Sequence, residues 1–138
     1  MIIGIGVDLC SVSRLQNAMK SEHFREKVFS TEEIVYCEAK GAQKFYSYAA
    51  SFAAREAFIK AARLSLASVM FTRNFELVRN DDGAPGVRLS GELAAMFPEN
   101  EAKIFVSITH ENDNACAMIV IEKINNEVIS NDSKDSRF

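Results

Sequence analysis

The chain has 138 residues, of which 48% are hydrophobic and 25% charged, with only six glycines and two prolines. This length suits one domain, and the composition excludes collagen-like, low-complexity and wholly disordered proteins. The formal net charge of −3 argues against wholesale electrostatic binding to nucleic acid or anionic lipid. Any basic binding site must therefore be local.

The first residues predict a short strand in a cytoplasmic protein. Residues 2–7 are apolar with glycine at every second position, and the strand is expected to end at Asp8. The segment lacks the cationic region of a secretory signal, and it is far shorter than the roughly 20 residues that span a bilayer. Three widely spaced cysteines indicate neither a disulfide framework nor a zinc site.

Three helices are predicted next. Ser13 followed by Gln16 fits a capping box, which predicts a helix over residues 13–27, and Ser30 with Glu33 gives a second box and a helix over about 31–40. Residues 43–67 contain no glycine or proline and are rich in helix formers, so this segment is expected to be the longest, central helix.

The second half of the chain predicts two antiparallel hairpins. Alternating residues predict one pair of strands at 75–79 and 86–89, with a short helix from Ser90, and a second pair at 103–109 and 115–121. The sum is an α+β fold, a mostly antiparallel sheet packed against one long helix. Residues 1–122 are expected to form the domain, and 123–138 a polar, flexible tail.

Two carboxylates and a lysine are the candidate chemical groups. Asp8 ends a strand, where capping is its ordinary role, and Glu56 with Lys60 could be a surface pair one helical turn apart. If Asp8 and Glu56 meet, they suit magnesium bound together with phosphate oxygens that Lys60 also neutralises. His110, at a strand end, is the better placed of two histidines. A Walker-type phosphate loop is missing from the sequence.

Four segments stand out by their motifs and their fixed order along the chain. They are Gly4-Ile5-Gly6-Val7-Asp8, Phe29-Ser30-Thr31-Glu32-Glu33, Phe52-Ala53-Ala54-Arg55-Glu56-Ala57-Phe58-Ile59-Lys60-Ala61 and Ser107-Ile108-Thr109-His110. Together they resemble holo-[acyl-carrier-protein] synthase, the small bacterial 4′-phosphopantetheinyl transferase family. The resemblance spans about residues 2–122, and it includes a Gly-x-Pro segment that ends at Pro85.

The resemblance implies transfer of the phosphopantetheine arm of coenzyme A to a serine of apo acyl carrier protein, in support of fatty acid biosynthesis, by a homotrimer with active sites between subunits. It implies magnesium bound by Asp8 and Glu56, and we take Glu56, directly or through a metal-bound water, as the candidate acceptor of the serine proton. Lys60, which also acts in catalysis, and His110, Arg55 and Pro85 are expected to contact coenzyme A. A locally basic helix is expected to dock the acidic carrier through Arg14, Lys20 and Arg25.

Two departures from the family pattern leave other functions open. Ser51 stands where an arginine is common, and residues 63–68 replace a glycine-rich turn. A non-catalytic module that binds coenzyme A or a carrier protein, or a metal-dependent phosphohydrolase, would share the same carboxylates.

Overall fold

The structure is a computed structural model that describes residues 1–125. Within this range the chain forms five strands, six α-helices and one short 3₁₀ turn, Gly41–Gln43. The strands are β1 (Ile2–Ser11), β2 (Phe75–Arg79), β3 (Pro85–Leu89), β4 (Ala102–Glu111) and β5 (Asn114–Lys123). The helices are α1 (Val12–Ala18), α2 (Glu22–Val28), α3 (Thr31–Glu38), α4 (Lys44–Ala62), α5 (Leu66–Val69) and α6 (Gly91–Met96).

The strands form two antiparallel sheets, and α4 packs against the larger one. That sheet has the order β1-β5-β4, with Asp8 opposite Ala117 and His110 opposite Ala115, while β2 and β3 pair as a separate hairpin. The buried core lies between α4 and the inner face of the three-stranded sheet. The predicted α+β fold with one long central helix is therefore confirmed.

Glycine in β1 lets the strand approach α4 at backbone distance. A Cβ atom on Gly4 would lie 2.0 Å from the carbonyl oxygen of Ala61, and one on Gly6 would lie 1.9 Å from that of Ala57. The residues of α4 that face this strand are also small: they are Ala53, Ala57 and Ala61, and all three are buried. Without side chains between them, strand and helix bring their polar residues close together.

The N-terminal prediction needs two corrections. β1 does not end at Asp8 but continues to Ser11, and the single helix expected over 13–27 is two helices, α1 and α2. The N-cap of α1 is Ser11, whose hydroxyl accepts a hydrogen bond from the amide of Arg14, rather than Ser13. The second capping box, Ser30 with Glu33, is confirmed by both of its hydrogen bonds.

The central helix ends five residues earlier than predicted. Arg63 adopts a left-handed conformation with φ of 55°, and its amide donates to the carbonyl of Lys60 while the amide of Leu64 donates to that of Ile59. These bonds form a Schellman motif, which terminates a helix and ordinarily favours glycine at the left-handed position. Residues 66–69 then form the separate helix α5.

The end of the domain is only partly tested. β5 runs to Lys123, and residues 126–138 of the predicted flexible tail lie outside the described residues, so that prediction stands untested. Within residues 1–125, no helix combines the length and apolar character needed to cross a membrane. The cytoplasmic location also stays a prediction.

Candidate active site

The structure brings Asp8, Glu56 and Lys60 together where β1 crosses α4. The ammonium of Lys60 lies 2.8 Å from Oδ1 of Asp8 and donates a second hydrogen bond, of 3.0 Å, to the backbone oxygen of Val7. The side chain of Asp8 is only 11% exposed, and it lies close enough to Glu56 to raise the pKa of that carboxyl group. Lys60 thus forms an ion pair with a residue 52 positions away, not the surface pair with Glu56 that spacing alone allowed.

The charges of this group are strongly coupled. Burial, the hydrogen bond to Asp8 and its negative charge together raise the pKa of Glu56 to about 7, against the opposing effect of Lys60 and Arg14. The hydrogen bond to Asp8 and its charge raise the pKa of Lys60, which stays protonated. The centre therefore has two carboxyl groups that share one site and one fixed positive charge.

The donor set of the centre is small. Among residues 1–125, no group of three or more histidine, cysteine, aspartate or glutamate side chains is placed to hold a metal ion. Two adjacent carboxylates remain able to bind a hard cation if a substrate adds further oxygen ligands. The same donors are a poor match for zinc, which prefers nitrogen and sulfur.

A cleft of about 300 Å³ opens beside Glu56. Its walls come from β1, from α1 and α2, and from Phe52 of α4, which lies one helical turn before Glu56. The lining combines apolar side chains with the polar groups of Ser11, Arg14 and Glu56, and Arg14 supplies the positive charge. The lining residues are Leu9, Cys10, Ser11, Arg14, Leu15, Ala18, Phe24, Phe52 and Glu56.

His110 lies at a second, wider cleft of about 550 Å³. Its ring stacks on Tyr46 of α4, with the ring centres 4.8 Å apart. Leu9 lines both clefts, so the two openings adjoin along β1. The remaining lining residues of the second cleft are Thr109, Glu111, Asn112, Asn114 and Cys116.

Arg55 is placed in the core and has no exposed surface. Its guanidinium binds both carboxylate oxygens of Glu33 and donates to the carbonyl of Phe75 at 3.0 Å, while its Nη1 lies 2.8 Å from the hydroxyl of Ser51. Every one of these partners is structural, so the expected contact of Arg55 with coenzyme A finds no support. Arg55 instead joins α3, α4 and β2.

Sequence reasoning gave Glu33 only a capping role and missed this network. Burial opposes ionisation of Glu33, but the charge and hydrogen bonds of Arg55 outweigh burial and lower its pKa. The hydroxyl of Ser51 donates to the same carboxylate. Ser51 in place of arginine therefore leaves no buried charge unpaired, because the single guanidinium of Arg55 neutralises Glu33.

The other residues predicted to contact coenzyme A or the carrier protein do not all lie at the cleft beside Glu56. Pro85 begins β3 and pairs with Arg79, and it lines neither cleft. Arg25 forms an ion pair of 3.5 Å with Glu38, whereas Lys20 is exposed just after α1. Of the three basic residues expected to dock a carrier protein, only Arg14 lines the cleft beside Glu56.

Known proteins resemble this chain along most of its length. A family described as the 4′-phosphopantetheinyl transferase superfamily matches residues 4–119. The holo-[acyl-carrier-protein] synthase of Geobacter metallireducens is 35% identical over 127 residues, which are 90% of this chain and 100% of that protein. The protein of the same name from Clostridium beijerinckii is 38% identical over 125 residues, again 90% and 100%.

Solved structures give the same result. The holo-[acyl-carrier-protein] synthase of Neisseria meningitidis aligns with a TM-score of 0.79 at 28% identity and covers 89% of this chain and 100% of that one. The Bacillus anthracis enzyme, solved in complex with CoA (3′,5′-ADP), aligns with a TM-score of 0.74 at 28% identity, covering 90% and 99%. Because the family match, the sequence identities and the fold all agree, this chain belongs to the 4′-phosphopantetheinyl transferase superfamily.

Proposed function

We propose that this chain transfers the 4′-phosphopantetheine moiety of coenzyme A to a serine of an apo acyl carrier protein and releases adenosine 3′,5′-bisphosphate. The named relatives are holo-[acyl-carrier-protein] synthases, and one solved neighbour contains CoA. The observation that carries the proposal is the meeting of Asp8, Glu56 and Lys60 beside a cleft that Arg14 also lines. The holo carrier protein so formed would serve fatty acid biosynthesis in the cytoplasm.

The reaction forms a bond from the serine oxygen to the phosphorus that bears the pantetheine arm and breaks the pyrophosphate bond. Negative charge spreads over the phosphoryl oxygens in the transition state, so positioning and nearby positive charge dominate the catalysis. Lys60 supplies that charge, held in place by Asp8 and by the carbonyl of Val7. Glu56 lines the cleft that the serine would enter, and we assign it as the acceptor of the serine proton.

Magnesium is the cofactor we propose, held by Asp8 and Glu56. The residues fit this ion, because two neighbouring carboxyl groups gain a shared counter-charge and the cleft leaves room for phosphate and water oxygens. When bound, the ion neutralises charge on the pyrophosphate. His110, at the second cleft, and Pro85 remain the proposed contacts of coenzyme A.

The carrier protein is proposed to dock on α1 and α2. Arg14 stands on the wall of the Glu56 cleft, and Lys20 is exposed nearby in sequence. Arg25 is partly engaged by Glu38, so we expect it to contribute less to docking than Arg14. Positive side chains beside the cleft suit an acidic partner and would speed its association.

We also propose a homotrimer with active sites between subunits. The outer face of β1 is apolar and open, with Ile5 67% exposed, Val7 57% and Leu9 63%. Phe105 and Met118 of the neighbouring strands extend this face. An apolar patch of this kind is ordinarily covered by another protein surface. Leu9 also lines both clefts, so a subunit that covers this face would contribute to their walls.

The test is incubation with apo acyl carrier protein, coenzyme A and magnesium, followed by the intact mass of the carrier. We expect the carrier to gain one phosphopantetheine, and Asp8→Ala and Glu56→Ala each to abolish the gain. Asp81→Ala, an exposed turn carboxylate, is the control that keeps activity. Binding of coenzyme A without transfer would favour a non-catalytic module, and nucleotide cleavage without a carrier would favour a phosphohydrolase.

A further inference from the structure

The turn between β4 and β5 is bonded to the start of α1. The carboxylate of Asp113 accepts hydrogen bonds from the amide of Ser13 at 3.0 Å, from the hydroxyl of Ser13 at 2.6 Å and from that of Ser11 at 3.0 Å. Its backbone oxygen accepts a further bond, of 2.7 Å, from the amide of Val12. Four hydrogen bonds thus connect one residue to a segment about 100 positions earlier in the chain.

These bonds provide hydrogen-bond acceptors for the first amides of α1, which have none within the helix. α1 has seven residues, too few to be stable alone, and the first amides of any helix need partners outside it. Asp113 supplies the partners for Val12 and Ser13, while Ser11 supplies the partner for Arg14. The place at which α1 begins is therefore set largely by the β4–β5 turn.

The turn itself is held from the opposite side. The hydroxyl of Tyr46 donates to the backbone oxygen of Asn112 at 2.9 Å, and the ring of Tyr46 stacks on His110. Tyr46 belongs to α4, the helix that also carries Glu56. Through the β4–β5 turn, Asp113 therefore connects α1 to α4, the helix that carries Glu56.

We infer that Asp113 is a positioning residue for the carrier-protein side of the cleft. It fixes α1, and with it Arg14 and Leu15 of the cleft wall, relative to Glu56. Asp113 does not line this cleft, so it acts through α1 and not by contact with the reacting atoms. The inference rests on the proposed function, because it assigns the Arg14 wall to the entry of the carrier's serine.

The test is Asp113→Asn with steady-state kinetics for both substrates. Asparagine keeps the size of the side chain and the oxygen that accepts from the Ser13 amide, but it removes the negative charge and replaces the oxygen that accepts from the hydroxyls of Ser11 and Ser13 with an NH₂ group that can only donate. We expect the KM for the carrier protein to rise about fivefold, with kcat and the KM for coenzyme A unchanged. A general loss of structure would instead alter all three constants and lower the melting temperature.

Asp82→Asn is the matched control. Asp82 lies in the β2–β3 turn and accepts a hydrogen bond of 2.9 Å from the amide of Ala84, within its own hairpin and away from α1. This variant should keep the carrier KM of the wild type. Ser13→Ala should raise the carrier KM as well, and combining it with Asp113→Asn should add less than the two separate effects, because both changes remove the same bond.

A second readout needs no activity. Hydrogen–deuterium exchange of residues 12–18 should be faster in Asp113→Asn and unchanged in Asp82→Asn. Failure of the proposed function would appear as a wild type that transfers nothing, whatever the exchange data show. The inference is overturned by an unchanged carrier KM in an active enzyme, by an equal rise of both KM values, or by unchanged exchange of α1.

Discussion

Gly6→Ala should both destabilise the fold and impair transfer. In an extended strand this substitution alone would stabilise by about 0.4–1 kcal/mol, because alanine restricts the unfolded chain. The new Cβ, however, would lie 1.9 Å from the carbonyl oxygen of Ala57 and 2.9 Å from its carbon. Strand and helix would have to separate by roughly 1 Å or more, an overpacking that costs about 3 kcal/mol.

The loss of activity follows from the same displacement. Asp8 lies two residues beyond Gly6, and Lys60 bonds both Asp8 and Val7 at 2.8 and 3.0 Å. Moving β1 away from α4 stretches these bonds and separates Asp8 from Glu56. A misplacement of this size can cost about a hundredfold in rate.

The assay compares Gly6→Ala with Gly41→Ala. Gly41 has φ of 58°, and a Cβ atom added there would meet nothing within 4 Å, so its substitution adds backbone strain without a steric clash. At equal protein concentration, Gly6→Ala should lose more free energy of unfolding in urea than Gly41→Ala. Its melting temperature should fall by about 10 °C in thermal unfolding, and the carrier mass assay should show the larger loss of transfer. Equal stability and full transfer in the two variants would refute the reasoning.

Three further predictions concern other parts of the chain. Arg63→Gly should raise the free energy of unfolding by about 0.5–1 kcal/mol in urea titrations, because glycine adopts the left-handed conformation without strain; a loss of stability would contradict this. Glu33→Gln should lower stability by about 3–5 kcal/mol, since it leaves Arg55 charged and buried without its partner. Because the folded pKa of Glu33 is lowered, its contribution is complete above its ordinary pKa of 4.5 and is lost as pH falls through the folded value, so unfolding curves at decreasing pH should show a flatter acid limb in the variant. Ile5→Lys should convert the proposed trimer to a monomer in light scattering, whereas an unchanged mass would remove β1 from the proposed interface.

Local patterns were sufficient for most of the fold. The Ser30–Glu33 capping box and the helix formers of α4 act within a few residues, so they could be predicted from sequence. The end of α4 could not, because Arg63 adopts a conformation that its residue type does not signal. The start of α1 could not either, because Asp113 lies 100 residues from the amide whose hydrogen bond it accepts.

The site shows the same division. Asp8, Glu56 and Lys60 were identified from residue type and resemblance, but only the structure places them in contact. Arg55 was misleading, since an arginine next to Glu56 in sequence is rotated by about 100° around the helix and points into the core. A single sequence gives no sign of which charged residue is buried until its partner, Glu33, is placed.

The two faces of β1 serve different proposed roles, one in the reaction centre and one in the subunit interface. Residues 4, 6, 8 and 10 face α4, where two glycines allow the close approach and Asp8 uses it, while residues 3, 5, 7 and 9 form the open apolar face. A slip of one residue against β5 would exchange the two faces and remove Asp8 from Lys60. The register with β5 therefore fixes the reaction centre and the proposed subunit interface together, and a change that shifts this register should abolish transfer and trimer formation at once.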